Sequence, residues 1–260
     1  MTKPKVLVTG ASGLIGGLVL GNLSDRYEFS GLSRHAVPGI PYTEAPITDL
    51  GSVRSAVSGQ DMVVHLAGET KNDDDWDDHF QVTAGGTINV LRASAEARTV
   101  RRVVVMSTGS TMCGWEWDDS LPYGKLARGE WDQVDDWELL DYRTPPRPDS
   151  PYGAAKLFGE AAARWFSDKT PMSCLVIRLG AVLKSNHPEL IRHFPGFLAQ
   201  EDAVQMIDKC LSAPPEVRFG IFDAISENSK RWRDTSPAKE VLGWQPTGSS
   251  DRFDKSALSR

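Results

Sequence analysis

The first two-thirds of the chain alternate short apolar runs with segments in which apolar residues recur at helical spacing. The apolar runs predict buried β-strands over residues 5–9, 28–32, 62–66, 102–106 and 173–179. The helical spacing predicts helices over residues 13–23, 50–58, 79–98 and 152–167. Because strands that alternate with helices pair in parallel through right-handed crossovers, the pattern predicts an α/β fold with a doubly wound parallel sheet of the Rossmann type. Ligands of such sheets lie beyond the carboxyl ends of the strands.

Two later regions depart from this alternation. Residues 114–151 hold several tryptophans among many acidic residues and prolines, with no sustained period, and we expect an ordered insertion over the site. The second region is residues 180–260. Its pattern predicts a helix over 202–211, a strand over 219–224 and a short helix over 237–242. We therefore predict a dinucleotide-binding domain over 1–179 and a small, discontinuous substrate-binding cap over 180–260, which partly returns to the sheet near 219–224.

Composition narrows the class of protein. The chain has 260 residues, of which 40% are hydrophobic and 25% charged, and a formal net charge of −6. The hydrophobic and charged fractions are typical of a soluble globular protein. A nucleic-acid binder would usually show a basic face, and this chain has a negative net charge, so we expect a small-molecule partner. Cys113, Cys174 and Cys210 are scattered without metal-ligand spacing, so we expect no metal and a reducing, cytoplasmic location. No apolar run approaches the roughly 18 residues of a membrane span.

A glycine-rich turn follows the first predicted strand and opens the first predicted helix, with glycines spaced three residues apart. Glycine lets the backbone bend sharply and lets main-chain N–H groups approach phosphate oxygens. The N–H groups and the positive dipole end of the following helix point at the same anion. The turn therefore predicts a dinucleotide site. The predicted contacts are Gly10, Ser12, Gly13, Leu14, Ile15 and Gly16.

Tyr152 and Lys156 are four residues apart in a predicted helix, so both side chains lie on one helix face. A tyrosine, whose ordinary pKa is about 10, is a weak base at neutral pH, and a neighbouring ammonium favours its ionised form. The pair indicates a general acid–base for a substrate hydroxyl or carbonyl, the alternative being a surface tyrosine and a solvated lysine. Hydroxyl side chains at 107–111 follow the strand predicted over 102–106, where they could hydrogen-bond a reacting oxygen. The alternative is a Ser/Thr turn whose hydroxyls satisfy their own backbone.

The end of the second predicted strand carries Ser33 and Arg34, and no acidic residue follows before Glu44. An NAD site usually places a carboxylate here to bind the ribose 2′-hydroxyl. A hydroxyl and a guanidinium suit a 2′-phosphate instead. We therefore expect NADP to be the preferred cofactor and NAD the alternative; the other interpretation of Arg34 is stacking on the adenine.

Together these motifs resemble the extended, epimerase/dehydratase-like branch of the short-chain dehydrogenase/reductase superfamily. The resemblance spans nearly the whole chain, through residues 9–16, 65–68 and 86–91 and the Tyr152/Lys156 pair. It implies that Tyr152 is the acid–base, that Lys156 lowers its pKa and holds the nicotinamide ribose, and that the protein is a homodimer. It implies further cofactor contacts at Asp49, Leu50, Leu66, Ala67 and Gly68. Asp49 would equally suit a helix N-cap.

Within that branch the chain is most similar to the uronate dehydrogenases and their relatives. The similarity rests on length and on residues 197–202, 226–232 and 242–246. It implies that Thr70 and Arg192 contact a sugar. Arg192 would clamp a carboxylate or phosphate, the alternative being a solvated helix charge.

The chain departs from that group at two places. Residues 107–110 read Ser-Thr-Gly-Ser instead of Ser-Ser-Asn-His, and Thr83 replaces an asparagine. The hydroxyl that assists Tyr152 is therefore Thr108 or Ser110, and Ser110 is also a candidate substrate contact. We predict an NADP-preferring oxidoreductase that transfers hydride at a hydroxyl or carbonyl of a sugar-like or other small polar substrate. The alternatives are a sugar epimerase or dehydratase that regenerates its bound cofactor, and a non-catalytic NADP-binding regulator.

Overall fold

The computed structural model describes residues 2–70 and 75–255. The strands are β1 (Lys5–Thr9), β2 (Glu28–Ser33), β3 (Tyr42–Glu44), β4 (Met62–His65), β5 (Arg102–Thr108), β6 (Ser173–Leu179) and β7 (Phe219–Ala224). They form a seven-stranded parallel sheet in the order β3-β2-β1-β4-β5-β6-β7. The predicted doubly wound parallel sheet is confirmed.

Helices cover both faces of this sheet. They are α1 (Leu14–Leu23), α2 (Leu50–Val57), α3 (Trp76–Asp78), α4 (Gly86–Ala97), α5 (Pro122–Arg128), α6 (Pro151–Lys169), α7 (His193–Gly196), α8 (Gln200–Ser212) and α9 (Ser236–Leu242). Across residues 2–70 and 75–255, no helix has the length and apolar character needed to cross a membrane.

Strand β1 shows why both faces are covered. Its fully buried residues alternate, so Val6 and Val8 pack into the core that α1 and α8 complete, while Leu7 packs into the core on the α2, α4 and α6 side. Successive side chains of a strand point to opposite faces, and a strand buried on both faces reads as a continuous apolar run. β1 also lies where the strand order reverses, between β2 and β4. A crevice therefore opens beyond its carboxyl end.

Two local features differ from the predicted elements. The three-residue edge strand β3 was too short to give a periodic signal. The helix predicted over 79–98 is preceded directly by α3, begins as a π-helix over His79–Gly85 and continues as α4. π-Helical turns widen the backbone locally and occur often at functional sites. Val82, within this segment, reaches the cavity described below.

The tryptophan-rich insertion is ordered around its own small core. Met112, Tyr123, Leu126, Leu140 and Trp232 are buried together, with Trp115, Trp131 and Trp137 packed against them. The insertion therefore docks on the C-terminal part of the chain through Trp232.

The C-terminal third contributes to the sheet as well as to this small core. β7 is the last strand, and α8 places Met206 and Ile207 in the core cluster that contains Val6 and Val8. The sheet and this cluster both extend across residue 179, the boundary that the sequence pattern predicts between two domains.

Candidate active site

A cavity of about 520 Å³ lies at the carboxyl ends of the central strands. It runs from the end of β2, past the turn after β1, to the start of α6. Its lining residues are Gly10, Ser12, Gly13, Leu14, Ile15, Gly16, Leu32, Ser33, Arg34, His35, Ala45, Pro46, Ile47, Thr48, Leu66, Ala67, Gly68, Thr70, Val82, Met106, Ser107, Thr108, Tyr152, Lys156, Leu179, Gly180 and Val182. We call the part near Arg34 the nucleotide end and the part near Tyr152 the substrate end.

The glycine turn at the nucleotide end depends on missing side chains. Gly10 has a φ of +70°, and a Cβ there would lie 2.9 Å from the Ala67 nitrogen. A Cβ on Gly16 would lie 2.6 Å from the Ala11 carbonyl oxygen. α1 begins immediately afterwards, and Gly13 provides no side-chain cap for its first N–H groups. Those uncapped donors and the positive end of the helix dipole form an anion site that fits a pyrophosphate.

Hydroxyl and basic groups complete the nucleotide end. The Ser12 and Ser33 hydroxyls lie 2.6 Å apart and form a hydrogen bond that ties the glycine turn to the end of β2. Arg34 and His35 are exposed where they line the cavity. His35 was not among the predicted site residues, although its position beside Arg34 was a usable signal. The residues present therefore fit a dinucleotide.

A buried histidine supports the floor of the cavity. His65 Nδ1 lies 2.8 Å from Thr9 Oγ1, and its Nε2 lies 3.0 Å from Thr87 Oγ1. Thr87 donates its own proton to the Thr83 carbonyl oxygen, so it accepts from Nε2–H, and Nδ1 accepts from Thr9. Burial, reinforced by the Lys156 charge, lowers the pKa of His65 to about 3, so the ring is neutral. Thr9 Oγ1 also accepts from the Ala67 N–H at 3.3 Å, which fixes the chain just before Gly68.

Lys156 lies between the two ends of the cavity. Its ammonium donates to the Met106 carbonyl oxygen at 2.8 Å and lies 5.7 Å from the centroid of the Tyr152 ring. A Cβ on Gly68 would lie 3.3 Å from Lys156 Nζ. Burial lowers the pKa of Lys156 to about 8. The structure therefore brings the predicted acid–base pair together with the turn after β4.

The helix that carries this pair is fixed by a buried ion pair. Tyr152, Lys156 and Glu160 are each four residues apart on α6 and share a face. Glu160 accepts two hydrogen bonds from the Arg178 guanidinium of β6, at 2.8 and 2.7 Å, and one from Ser107 Oγ at 2.5 Å. Glu160 and Arg178 were missed from the sequence, where the repeated spacing of four after Tyr152 was the available signal.

The end of β5 brings Thr108, but not Ser110, into the cavity lining. Thr108 Oγ1 accepts a hydrogen bond from the Ser110 N–H at 3.2 Å. Ser110 contacts the start of α6, because a Cβ on Gly153 would lie 2.5 Å from its carbonyl oxygen. Gly109 leaves room for Arg233, whose guanidinium nitrogens would lie 2.8 Å from a Cβ there. Of the two candidate hydroxyl residues, Thr108 is the one that shares the cavity lining with Tyr152.

Three other predicted contacts lie outside the cavity lining. Asp49 caps α2, accepting from the Gly51 N–H at 3.0 Å and from Ser52 Oγ at 2.6 Å. Its neighbour Leu50 starts that helix, and Thr48 lines the cavity in their place. Arg192 donates from Nε to Glu116 at 2.7 Å and from a terminal nitrogen to Asp149 at 3.0 Å. Capping therefore engages the Asp49 side chain and ion pairing engages that of Arg192. Thr70, which was predicted with Arg192 to contact the sugar, lines the cavity.

The combination of groups defines the chemistry that the cavity can support. A phenol, an ammonium and a hydroxyl converge beside a glycine turn suited to a pyrophosphate, which is an arrangement for moving a proton at an oxygen while a dinucleotide is held nearby. Among the residues that the structure describes, no group of three or more His, Cys, Asp or Glu side chains could hold a metal ion.

The chain is similar in sequence to a known family and to characterised dehydrogenases. A sequence model of the NAD dependent epimerase/dehydratase family matches residues 6–235. An NAD-dependent glucose-6-phosphate dehydrogenase of Haloferax volcanii is 28% identical over 263 aligned residues, covering 97% of this chain and 96% of that protein. An L-arabinose 1-dehydrogenase (NAD(P)(+)) of the same organism is 27% identical over 256 residues, with coverages of 95% and 97%.

The fold has a close counterpart among solved structures. The crystal structure of uronate dehydrogenase from Agrobacterium tumefaciens matches with a TM-score of 0.79 at 25% identity, covering 97% of this chain and 88% of that one. The predicted resemblance to the extended, epimerase/dehydratase-like branch and its uronate dehydrogenase-like subgroup is confirmed.

Proposed function

The chain belongs to the NAD dependent epimerase/dehydratase family, and from that premise we propose that it is an NADP-preferring dehydrogenase or reductase. Its reaction is hydride transfer at a hydroxyl or carbonyl of a sugar-like or other small polar substrate. The observation that carries the proposal is the shared cavity. Tyr152, Lys156 and Thr108 line the same space as the glycine turn at Gly10. An acid–base and a dinucleotide site in one cavity are what such a reaction requires.

The residues of the chain divide the work between holding and proton transfer. The turn at Gly10 and the first N–H groups of α1 would hold the pyrophosphate. When bound, the nicotinamide supplies the two-electron donor or acceptor. Tyr152 takes a proton from the substrate hydroxyl during oxidation and returns it to the carbonyl oxygen during reduction. The Lys156 ammonium favours the ionised phenol beside it, and the Thr108 hydroxyl orients the reacting oxygen.

The NADP preference rests on the end of β2. Ser33, Arg34 and His35 line the cavity there, and a hydroxyl with two basic groups suits a 2′-phosphate. Glu44 of β3 is in register with Ser33 on the neighbouring strand, but Glu44 does not line the cavity. The lining on this side begins at the next residue, Ala45. Parallel titrations with NADPH and NADH test this preference. Equal affinity for the two would contradict it.

The test of the reaction is a substitution at the acid–base. The absorbance of reduced nicotinamide is followed with a panel of aldoses, uronates and ketones. We expect Tyr152→Phe to lower kcat by about 10² to 10⁴-fold, which is the range for loss of a general acid–base. Tyr142→Phe is the matched control, since that tyrosine is 44% exposed and lies outside the cavity lining. Activity that survives Tyr152→Phe would show that another group moves the proton.

The family match favours one other activity, epimerisation or dehydration with a cofactor that is regenerated in each turnover. In that case product forms without net change in nicotinamide absorbance. Product analysis by NMR alongside the absorbance assay separates the two reactions.

The assembly we propose is a cytoplasmic homodimer. Its support is a set of exposed rings on two helical segments that contact each other: Phe80 of the π-helix, and Phe158 and Trp165 of α6, are 71%, 48% and 55% exposed. Exposed apolar patches often mark interfaces. Light scattering on the native protein and on a Phe158→Lys, Trp165→Lys variant tests this assembly. A native monomer would contradict it.

The free thiols of Cys113, Cys174 and Cys210 agree with a reducing compartment.

A further inference from the structure

Arg192 belongs to a small charge cluster that the proposed reaction does not use. We call Glu116, Asp149 and Arg192 the rim cluster. Arg192 lies between the two carboxylates at 2.7 and 3.0 Å, and its side chain is 51% exposed. The carboxylates are mostly covered, with 9% of Glu116 and 12% of Asp149 exposed. One positive and two negative groups give the rim cluster a formal charge of −1.

The rim cluster is joined to the groups that surround the substrate end. The Asp149 N–H donates to the Ser110 carbonyl oxygen at 3.0 Å, two residues after the cavity-lining Thr108. Asp149 Oδ1 accepts from Ser150 Oγ at 3.0 Å, and Ser150 caps the helix on which Tyr152 is the second residue. The rim cluster is therefore one hydrogen bond from the segment after Thr108 and adjoins the cap of the helix that carries Tyr152, just outside the cavity lining.

The two carboxylates are hard to separate from the arginine. Burial raises the pKa of Glu116, and the Arg192 guanidinium opposes that rise. Burial also disfavours the charged form of Arg192, but its acidic partners, first Glu116, outweigh burial and raise its pKa. If an anionic substrate took the guanidinium for itself, it would leave Glu116 as a covered, unpaired carboxylate, which is a costly state.

The basic side chains that line the cavity do not offer a replacement. Among the described lining residues, the basic ones are Arg34 and His35 at the nucleotide end and Lys156 beneath the phenol. Lys156 is already engaged with a backbone carbonyl. An anionic group near Tyr152 would thus meet the negative rim cluster without a dedicated cation from these residues.

We propose that Glu116 and Asp149 are specificity-determining residues that disfavour anionic substrates, so that the enzyme prefers a neutral polyhydroxy substrate to its carboxylate or phosphate counterpart. This inference rests on the proposed function, because it assigns the charge of that reaction's substrate. It replaces the clamp role that the sequence predicts for Arg192.

The test compares three matched substrates: a neutral hexose, the corresponding hexuronate and the hexose 6-phosphate. The native enzyme should have a kcat/KM for the hexose at least about tenfold above that for either anion. A Glu116→Gln, Asp149→Asn double variant should raise kcat/KM for the anions by about tenfold and change that for the hexose far less. Asp119→Asn is the control, since it removes one acidic charge at a side chain that is 87% exposed and paired with Arg128.

A binding measurement keeps the proposal separate from the reaction. Calorimetric titration of the three sugars into Tyr152→Phe protein saturated with NADP⁺ needs no turnover. If the hexose binds more tightly than the anions but the native enzyme turns over none of them, the charge preference stands and the proposed function fails. Tighter binding or faster turnover of an anion by the native protein would overturn the proposal, as would loss of anion turnover in the double variant. Binding of none of the three sugars counts against it.

Discussion

The two ends of the cavity are built in different ways. At the nucleotide end, seven consecutive residues from Gly10 to Gly16 provide a turn, a helix start and the approach to phosphate, mostly through backbone atoms. At the substrate end, Ser107 reaches Glu160 across 53 positions of the chain, and just outside the cavity lining Arg192 reaches Glu116 across 76. The first arrangement is local and the second depends on contacts that only the folded chain creates.

This difference decides what a substitution does at each end. Backbone geometry at the nucleotide end tolerates no side chain where a phosphate must approach. At the substrate end, one member of a charged side-chain pair can be replaced while the other stays. The loss of stability then depends on how deeply the remaining partner is buried from water.

The largest effect is expected at the buried pair behind the substrate end. Glu160→Ala removes the carboxylate that accepts from Ser107 and from Arg178, whose side chain is 2% exposed. An uncompensated buried guanidinium should lower the free energy of unfolding by about 3–5 kcal/mol. Urea unfolding measures the change.

The control for that experiment is the exposed i,i+4 pair on the same helix. Asp168→Ala removes the partner of Arg164, where the two side chains are 49% and 58% exposed, and should change stability little. If Glu160→Ala is too unstable to purify, Glu160→Gln serves instead and should lose less. A similar result for Glu160→Ala and Asp168→Ala would mean that the buried pair does not hold α6 in place.

The next effect is expected at the glycine turn. In Gly10→Ala the new methyl group meets the Ala67 nitrogen at 2.9 Å, with φ in the left-handed region at +70°. We expect a loss of about 2 kcal/mol in the free energy of unfolding and NADPH binding at least about tenfold weaker. Urea unfolding and fluorescence titration report the two losses. Gly17→Ala is the control, because nothing lies within 4 Å of a Cβ there; unchanged NADPH affinity in Gly10→Ala would contradict the prediction.

The contrast between the two ends also explains what could be predicted from the sequence. The parallel sheet and the glycine turn follow from local pattern, and Tyr152 and Lys156 from a fixed spacing on one helix. The pairing that engages Arg192 has no local signal, because Glu116 and Asp149 lie 76 and 43 positions away. Asp49 shows a third case, in which one residue type suits both a helix cap and a ligand contact; the cap is present in the fold, and the ligand contact stays a prediction.

A smaller effect is expected from Arg34, whose side chain is one of those that line the nucleotide end. Arg34→Ala should raise the Kd for NADPH about tenfold and leave that for NADH nearly unchanged, because only the former carries a 2′-phosphate for the guanidinium to bind. Arg92→Ala is the control, since that exposed arginine pairs with Glu96 on α4. Equal weakening of both nucleotides in Arg34→Ala would indicate stacking on the adenine instead.

The smallest effect concerns His65, which shows that the nucleotide end also has a long-range component. The ring joins Thr9 of β1 to Thr87 of α4 and is held neutral, with a pKa lowered from 6.5 to about 3 by burial.

The unfolded chain therefore binds a proton as the pH falls below 6.5 while the folded chain does not. The stability that the neutral ring contributes is complete above pH 6.5 and is lost progressively toward pH 3. Between pH 7.5 and pH 6 the loss should be about 1 kcal/mol. His65→Gln should flatten this part of the pH dependence in urea unfolding. An identical slope in native and His65→Gln protein would mean that other groups cause the acid sensitivity, and that the two ends of the cavity differ more sharply than the His65 contacts suggest.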